Sequence, residues 1–474
     1  MQEEIWHTLA RAVGDDPLIQ SLAEVSREQG AEVFLVGGWL RDSILGRISK
    51  DYDFIVDGDA AALAREVADR LGGSFFILGR EAVPNYRIVA RGCTLDLVPQ
   101  HPGGLTEELH RRDFTINTLT FGLGDGQFFD PFHGLRDIED RVVRMVSPEV
   151  LEADPLRMLR AVRFCAVLEG FGLSDKTAAE IQRAPARLAK SAVERLREEM
   201  DRIVVSGRAA PALSLMLKLG LFDVVFPELR PLKGLYQGPY HHLDALTHTV
   251  TAVEQVDDLV SLTAPFIYPI DLTPEDRIVL GYAVLFHDLG KAESRTTDPD
   301  GRPHFYGHEK LGAAKAAALM ARFAFPGKRA ARISHLIRFH VVGLGLISAG
   351  YTEKALRRIV GKLGADLPLH VLHSLADRRA ARGERFEEME RRTIAVGQAL
   401  LDTYLHEGFE ILAPPQLIDG GDVMAALGLT PGPAVGEILQ KVRKLQVDRV
   451  IATREDALAL LTRLKDQYPP SVQQ

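Results

Sequence analysis

The sequence predicts an α+β fold in which a mixed sheet with helices is followed by an all-helical remainder. Short apolar runs bounded by turn residues recur over roughly the first hundred positions, which is typical of strands. Beyond Pro148 the apolar residues repeat at helical spacing instead. The chain has 474 residues and a hydrophobic content of 46%. It is therefore long enough for several domains with real cores, roughly three at the usual domain size.

The predicted strands are short and apolar, and they cover residues 33–36, 54–56, 74–78, 86–90 and 95–98. Residues 59–71, between the second and third strands, are rich in alanine and repeat with a helical period. Gly72 and Gly73 follow them, and glycine is a frequent helix stop. We therefore expect a helix that connects these two strands.

A glycine turn beside two carboxylates forms the first candidate site. Gly37 and Gly38 end the first strand, and Asp51 and Asp53 begin the second, where alternation places both side chains on one face. Paired carboxylates suit divalent metal ions, and glycine lets backbone N–H groups approach phosphate. Arg41 adds a guanidinium that can donate to phosphate oxygens. A surface turn followed by a solvated strand end is the alternative, but the order and spacing favour binding of a nucleoside triphosphate.

Further charged residues accompany this turn. Asp96 alternates with Leu95 and Leu97 and should face away from the core. Later in the chain, four charged residues are spaced three apart: Asp154, Arg157, Arg160 and Arg163. This spacing predicts a gradually turning stripe on one helix face. The stripe has almost no carboxylate with which its arginines could pair. The alternative is one stabilising Asp–Arg pair with the other arginines solvated.

Histidines and carboxylates in the middle of the chain form a separate constellation. Its members are His248, His287, Asp288 and Asp377, with His308 and His340 as further candidates. Imidazole and carboxylate groups from several helices suit a divalent metal ion in the core of a bundle. Single histidines on such helices are more often core residues with satisfied hydrogen bonds. The prediction of a metal site therefore depends on several histidines and carboxylates occurring together.

Composition and charge narrow the function classes. A net charge of −8 argues against a uniformly basic RNA-coating protein. Cys93 and Cys165 are too few for a disulfide framework or a thiolate zinc cage, and they suit a reducing cytoplasm. No apolar run approaches transmembrane length, and the first residues lack a signal-peptide pattern. We expect a cytoplasmic protein without a membrane partner.

Four motifs in chain order resemble the class II tRNA nucleotidyltransferase/poly(A) polymerase family, whose head is polymerase-β-like. They are LVGGWLRD at 35–42 with DYD at 51–53, RRDFTIN at 111–117, DPFHGLRD at 130–137, and ADPLRMLRAVRF at 153–164. The resemblance implies two-metal phosphoryl transfer with Mg²⁺ at the catalytic carboxylates Asp51, Asp53 and Asp96. It also implies a nucleotide pocket made by Gly37, Gly38, Arg41, Asp42, Arg111, Arg112, Asp113, Asn117, Asp154, Arg157, Arg160 and Arg163.

In the resembled family, the residues that match Asp154 and Arg157 read the base edge of CTP or ATP. The alternative for the RRDF segment is an ordinary helix start capped by Asp113. Ala153 stands where the family commonly has Glu. The acceptor would be the 3′ end of tRNA, with CTP, ATP or both as the nucleotide substrates.

A second departure concerns which nucleotides are added. Members that build a complete CCA end usually carry a flexible loop before the RRDF motif, whereas only about a dozen residues fill that interval here. The resemblance therefore favours addition of CC, with A left to a separate partner enzyme, while CCA addition stays open. Poly(A) polymerase of the same family is the nearest alternative.

The histidine set resembles the HD superfamily of metal-dependent phosphohydrolases. This resemblance implies a divalent metal held by His248, His287, Asp288 and Asp377, and it leaves hydrolysis of cyclic phosphates or phosphomonoesters open. A protein that is mainly an HD phosphohydrolase with a nucleotide-binding head is a further alternative. The predicted domains are a helical lead-in at 1–24, a head at 25–147, a helical neck or RNA-binding domain at 148–235, an HD domain at 240–380 and a helical tail at 381–474.

Overall fold

The structure is a computed structural model that describes residues 2–80, 83–261 and 265–465. The chain forms two compact units, one made by Met1–Glu199 with Leu215–Val225 and the other by Met200–Ser214 with Phe226–Gln474. Residue 1 of the predicted lead-in and residues 466–474 of the predicted tail lie outside the described residues. The α+β fold class is confirmed, and the predicted domain boundaries stay predictions.

A seven-stranded mixed sheet lies in the first unit, with strand order β3-β4-β5-β2-β1-β6-β7. All neighbours are antiparallel except β2 and β5, which are parallel. The strands are β1 Glu32–Val36, β2 Asp51–Asp57, β3 Ser74–Arg80, β4 Val83–Ala90, β5 Cys93–Pro99, β6 Thr120–Gly122 and β7 Phe128–Phe129. The five predicted strands are present. The last two were not predicted because runs of three and two residues carry too little alternation to recognise.

Helices cover the rest of the first unit and its continuation. They are α1 Gln2–Asp15, α2 Pro17–Gln29, α3 Gly38–Ile44, α4 Ala60–Leu71, α5 Leu105–His110, α6 Gly134–Glu139, α7 Pro148–Ala153, α8 Leu156–Val167, α9 Asp175–Arg183, α10 Val193–Val204, α11 Ala209–Leu219 and α12 Phe222–Val225. Short 3₁₀ turns lie at Thr115–Asn117 and Pro185–Lys190, and a small parallel pair joins β8 Val142–Val143 to β9 Gly172–Leu173.

The predicted connecting helix is α4, and local chemistry sets both of its ends. The Asp59 carboxylate accepts from the N–H groups of Ala61 and Ala62, which satisfies donors that the first turn leaves unpaired. Gly72 ends the helix in the left-handed region, at φ +62°. The apolar face of α4 is fully buried at Leu63 and Val67, so this helix is held by core packing as well as by its caps.

The second unit is almost entirely helical. Its remaining helices are α13 Ala245–Ser261, α14 Pro274–Phe286, α15 Lys291–Ser294, α16 His308–Arg322, α17 Gly327–Phe339, α18 Leu344–Ala349, α19 Glu353–Leu363, α20 Leu367–Ala380, α21 Phe386–Leu412, α22 Gly420–Leu427, α23 Pro433–Val447 and α24 Arg454–Leu464. Short 3₁₀ turns lie at Pro227–Leu232 and Gly364–Asp366, and β10 Thr296–Thr297 pairs with β11 Pro303–His304. Helices α22 to α24 share a small hydrophobic core that includes Val423, Ile438 and Leu461.

One described segment, Gly327–Ser348, is long and apolar enough to cross a membrane by length and composition. Two of its arginines are engaged inside the second unit: Arg329 pairs with Asp201, and Arg332 with Asp276. Core helices meet the same criterion, and the ion pairs are typical of a helix packed within a protein.

Candidate functional sites

The three predicted catalytic carboxylates share one face of the sheet. Asp53 of β2 lies directly opposite Asp96 of β5 in the parallel pairing, and Asp51 is two residues before Asp53 on the same face. Burial raises the pKa of Asp53, and the charges of Asp96 and Asp51 raise it further, against the opposing effect of Arg112. Like charges gathered in this way are a setting that a divalent cation stabilises, so the residues present fit metal binding.

Gly37 brings the glycine turn against these carboxylates. It has φ +86°, a conformation that side-chain-bearing residues rarely adopt. A Cβ at this position would lie 2.8 Å from Arg112 Nη1 and 3.4 Å from Asp53 Oδ2. Only glycine therefore leaves room for Arg112 beside Asp53. Gly38 follows as the first residue of α3.

A buried polar network joins the first and second motifs. The Asp42 carboxylate accepts two hydrogen bonds from Arg41, at 3.0 Å each, and Arg41 donates in turn to Asn117 Oδ1. Asn117 Nδ2 donates to Asp113 Oδ1 at 2.8 Å, and the other Asp113 oxygen pairs with Arg160 at 3.0 Å. Five of the predicted nucleotide-binding residues thus form one connected network.

Asp113 is buried in this network and stays ionised. Burial would raise its pKa, but Arg160 and the hydrogen bond from Asn117 outweigh burial, and the pKa lies below its ordinary value. The alternative that Asp113 caps an ordinary α-helix is wrong, because the segment that follows is the 3₁₀ turn Thr115–Asn117. Arg111 is exposed and lies outside the network.

The predicted arginine stripe needs two corrections. Asp154 is not on the helix with the arginines, because α8 begins only at Leu156 and Asp154 has extended backbone, with φ −138°. The residue before a proline is restricted to extended conformations, and Pro155 follows Asp154. Its carboxylate pairs with Arg195 at 2.8 Å. Asp154 therefore faces a different arginine from the one that the spacing indicated.

The second correction concerns the expected lack of carboxylate partners. Arg160 pairs with Asp113, and Arg163 pairs with Glu199, both from elements distant in sequence. Arg157 donates from Nη1 to Val150 O at 3.2 Å, while its Nε is buried without a hydrogen-bond partner among the described residues. Burial lowers the pKa of Arg157. Arg160 likewise has a buried Nε without a hydrogen-bond partner among the described residues, so Arg157 and Arg160 each keep a buried donor for a ligand.

Arg87 was missed by the sequence reasoning. It lies on β4 directly opposite Asp96 and donates from Nε and Nη2 to both carboxylate oxygens, at 2.8 Å each. Asp96 raises the pKa of Arg87 through this hydrogen-bonded pair. Alternation along the predicted strand 86–90 places Arg87 on one face, but the sequence gives no pairing that would set this face beside Asp96.

The histidine constellation is assembled from five segments of the second unit. Its ligand atoms form two groups of three, each lying within 4.8 Å of one another: His248, His287 and Asp377, and Asp288, His308 and His340. His248 Nε2 lies 2.8 Å from Asp377 Oδ1, and His287 Nε2 lies 3.2 Å from Asp288 Oδ2. The structure therefore brings together all six predicted residues.

Tautomers in this cluster can be inferred from backbone contacts. The Nδ1 atoms of His287, His308 and His340 each lie 2.7 Å from a backbone carbonyl, which can only accept, so Nδ1 carries the hydrogen. Burial lowers the pKa of His308, and burial and neighbouring histidines lower that of His340 to about 3, so both rings are neutral. Their Nε2 lone pairs then face each other at 3.0 Å. A cation between these atoms removes that repulsion, so the donor set fits a metal ion.

His287 and Asp288 are a buried pair of opposite charge. Burial would lower the pKa of His287, but Asp288 and Asp377 outweigh burial and raise it to about 10. Both Asp288 oxygens are buried, and Lys291 Nζ lies 2.7 Å from one of them. Because a ligating histidine must be neutral, metal binding here would release a proton.

Lys291 and His373 were not predicted as members of this cluster. His373 is buried, its ring lies 5.3 Å from that of His287, and it precedes Asp377 by one helical turn on α20. The four-residue spacing between His373 and Asp377 places both side chains on one helix face, so the sequence alone could have indicated His373. Gly290 sets the packing, because a Cβ there would overlap the His308 carbonyl and lie 2.7 Å from Gly312 N.

Comparison with known proteins identifies the family of the chain. Three family models match: the poly(A) polymerase head domain at residues 33–96 and 98–144, a probable RNA- and SrmB-binding site of polymerase A at 170–233, and the HD domain at 241–358. The A-adding tRNA nucleotidyltransferase of Deinococcus radiodurans is 36% identical over 443 residues, covering 92% of this chain and 96% of that protein. The chain belongs to the tRNA nucleotidyltransferase family.

One further relative and one solved structure are similar to this tRNA nucleotidyltransferase. The CC-adding enzyme of Thermus thermophilus is 36% identical over 440 residues, covering 91% of this chain and 93% of that protein. The CCA-adding enzyme of Bacillus stearothermophilus, solved in complex with CTP, shares the fold with a TM-score of 0.64 at 22% identity, covering 95% and 98% of the two chains. The family identified from the four motifs is confirmed, and so is the enzyme class.

Proposed function

We propose that this enzyme adds the two C residues of the tRNA 3′ end from CTP. The observation that carries the proposal is the short connection between β5, which ends at Pro99, and Arg111. Helix α5, Leu105–His110, fills about half of that connection, so it has no room for the long mobile loop of members that complete CCA. The A-adding and CC-adding relatives are equally identical to this chain, so identity does not decide between them.

Each predicted residue takes a role from its contacts. Asp51 and Asp53, with Asp96 beside them, would hold Mg²⁺, which when bound would acidify the RNA 3′-hydroxyl and neutralise charge on the triphosphate. Arg112 beside Gly37 and the buried Arg157 donate to the nucleotide. The wall of the nucleotide pocket need not move for this, because the hydrogen bonds from Arg41 to Asn117 and from Asn117 to Asp113 already fix it.

Asp154 is proposed to read the base. Its carboxylate accepts from Leu156 N and pairs with Arg195, and it can also accept from an exocyclic amino group. The ion pair with Arg195 orients the carboxylate. A uracil offers a carbonyl in place of the amino group and is disfavoured.

The test uses tRNA transcripts that end at the discriminator base, in C or in CC, with Mg²⁺ and labelled CTP or ATP. The proposal expects two C residues on the first transcript, one on the second and none on the third, with no A on any. Addition of A only to the CC end would assign the A-adding reaction, and complete CCA would show that the short connection does not limit the product. Long A-only tails would assign a poly(A) polymerase.

A second function is proposed for the histidine cluster because its lone pairs converge. His248, His287 and Asp377, with Asp288, His308 and His340, would hold one or two divalent transition-metal ions, whose chemistry is activation of water for phosphoester hydrolysis. Phosphate release from cyclic phosphates and phosphomonoesters with Mn²⁺, Co²⁺ or Ni²⁺ tests this function. His340→Ala should abolish such release, and unchanged release would refute the assignment.

The CC-adding proposal has consequences for partners and location. A product that ends in CC requires a separate A-adding enzyme in the same compartment. That compartment is proposed to be the cytoplasm. Mass spectrometry of tRNA ends from cells depleted of this enzyme should show ends that lack CC as well as A.

A further inference from the structure

One line of side chains crosses the sheet from the catalytic carboxylates to its edge. Asp53 lies opposite Asp96, Asp96 opposite Arg87, and Arg87 opposite Phe76 of β3. Directly opposite residues share a face of the sheet. Phe76 is therefore on the carboxylate face, two strand spacings or about 10 Å from Asp96.

The edge end of this line is open and apolar. Phe76 is 48% exposed, and on the same face Leu78 is 37% and Val89 is 41% exposed. β3 is the last strand of the sheet on this side. A half-exposed aromatic ring flanked by exposed aliphatic side chains is a surface on which a planar group can stack.

The side of the carboxylates that faces β1 is already occupied by other residues of the site. Gly37 and Arg112 lie beside Asp53 on the β1 side, and the Arg41–Asn117 network lies with them. A nucleotidyltransfer site must hold two substrates on either side of its metal ligands, the nucleotide and the acceptor end. The side of β4 and β3 is the one that remains.

We infer that Phe76 and Arg87 form a binding site for the acceptor RNA. Phe76 would stack on a base near the 3′ end of the RNA, and Arg87 would contact the adjoining phosphate. The inference rests on the proposed nucleotidyl transfer. Arg87 uses Nε and Nη2 to hold Asp96, which leaves Nη1 for a phosphate oxygen. Arg87 is thus a positioning residue for Asp96 and a phosphate contact.

A second copy of the chain, pairing edge to edge through β3, is the other occupant that an open apolar strand suits. The line of side chains favours RNA because it combines one cation with one exposed ring and leads directly to the carboxylates. Pairing of two copies through their β3 strands would use the backbone, so it would need neither Arg87 nor side chains on a particular face of the sheet.

The test compares Phe76→Ala with Ile77→Ala, a matched control. Ile77 is the next residue of the same strand, 59% exposed, on the opposite face. Phe76→Ala should raise the KM for a tRNA transcript by about 5- to 150-fold, the range for loss of one base–aromatic stack, with little change in the KM for CTP. Ile77→Ala should leave both constants near wild type, and Phe76→Tyr should restore the tRNA KM.

Further outcomes separate the two proposals. Equal tRNA KM values for Phe76→Ala and Ile77→Ala would refute the proposed RNA-binding site. A shift of both variants from a dimer to a monomer in sedimentation would refute it as well, because it would indicate pairing between copies of the chain. A rise in the KM for CTP alone would overturn it as well, because it would place Phe76 on the nucleotide side. Wild-type protein that incorporates no nucleotide would instead refute the proposed function. Binding of the transcript, measured by fluorescence anisotropy, would then show independently whether Phe76 holds RNA.

Discussion

Asp53 shows how single residues in this chain combine a stability cost with a functional role. It is partly buried beside two other carboxylates, and its pKa is raised by burial and by their charges. A group whose folded pKa is raised above its unfolded value destabilises the fold at neutral pH, where it must ionise. Arg112 and Arg160 offset part of that cost, and a bound cation would offset more of it, which is why this position indicates a site.

Asp53→Asn should separate activity from stability. We expect at least about a hundredfold loss of nucleotide incorporation, because a metal ligand that contributes several kcal/mol is removed. The melting temperature should stay the same or rise, since a repelled charge is lost. Asp57→Asn, at the exposed end of the same strand, is the matched control and should change neither quantity. A large drop in melting temperature for Asp53→Asn would contradict this account of the carboxylates.

Asp257 gives a pH-dependent prediction away from both sites. Burial raises its pKa to about 6, while its carboxylate accepts from Ala209 N at 2.8 Å. The folded state thus holds a proton that the unfolded state releases near its ordinary pKa of about 4. Stability from this group is present below about pH 4 and is lost as pH rises to about 6, up to about 3 kcal/mol.

Asp257→Asn should therefore stabilise the protein at pH 7.5 and have little effect near pH 4. Thermal unfolding at the two pH values measures the difference, with the exposed neighbour Asp258→Asn as the control. Equal shifts at both pH values would show that folding does not raise the pKa of Asp257.

At the scale of elements, the fold follows local patterns while the site depends on pairings. The five predicted strands and α4 were recognisable because alternation and capping act over a few residues. The partners of Arg160 and Arg163, and the Arg87–Asp96 pair, were not, because they join elements distant in sequence. The extended backbone of Asp154 is a local effect of Pro155, and it outweighs the three-residue spacing that predicted a shared helix.

Gly290 is the tightest contact between elements around the histidine cluster. Gly290→Ala should destabilise the protein by about 2–3 kcal/mol, because overpacking forces α16 away from the turn that carries His287 and Asp288. The amount of transition metal bound per protein, measured by atomic spectroscopy after desalting, should also be lower in Gly290→Ala than in the wild type. Gly327→Ala at the start of α17 is the control, since a Cβ there meets nothing within 4 Å. Its stability should change by less than about 0.5 kcal/mol. Wild-type metal content in Gly290→Ala would refute the packing argument.

At the scale of the whole molecule, the two proposed chemistries use separate residues in separate compact units. The carboxylates of β2 and β5 belong to the first unit, and the histidine cluster belongs to the second. Each set is completed within its own unit. We therefore expect the two activities to be separable.

Asp53→Asn should lose nucleotide incorporation while it keeps metal-dependent phosphate release, and His340→Ala should show the reverse. Both assays on both variants, with melting temperatures to confirm folding, measure this. Transition metal should also raise the melting temperature of Asp53→Asn but not of His340→Ala, because a ligand stabilises only the state that binds it. Loss of incorporation in a folded His340→Ala protein would show that the two units act together.

The sequence by itself determined the α+β class and the family, and it predicted most of the residues placed in the two candidate sites, because strand alternation, helix caps and ordered motifs are local properties of the chain. Tertiary structure alone decided which residues meet. It placed Arg87 on Asp96, Arg195 on Asp154 and His373 beside His287. The physical reason is that strand pairing and helix packing bring together residues far apart in sequence, and no local pattern encodes their contacts or the pKa values that those contacts produce.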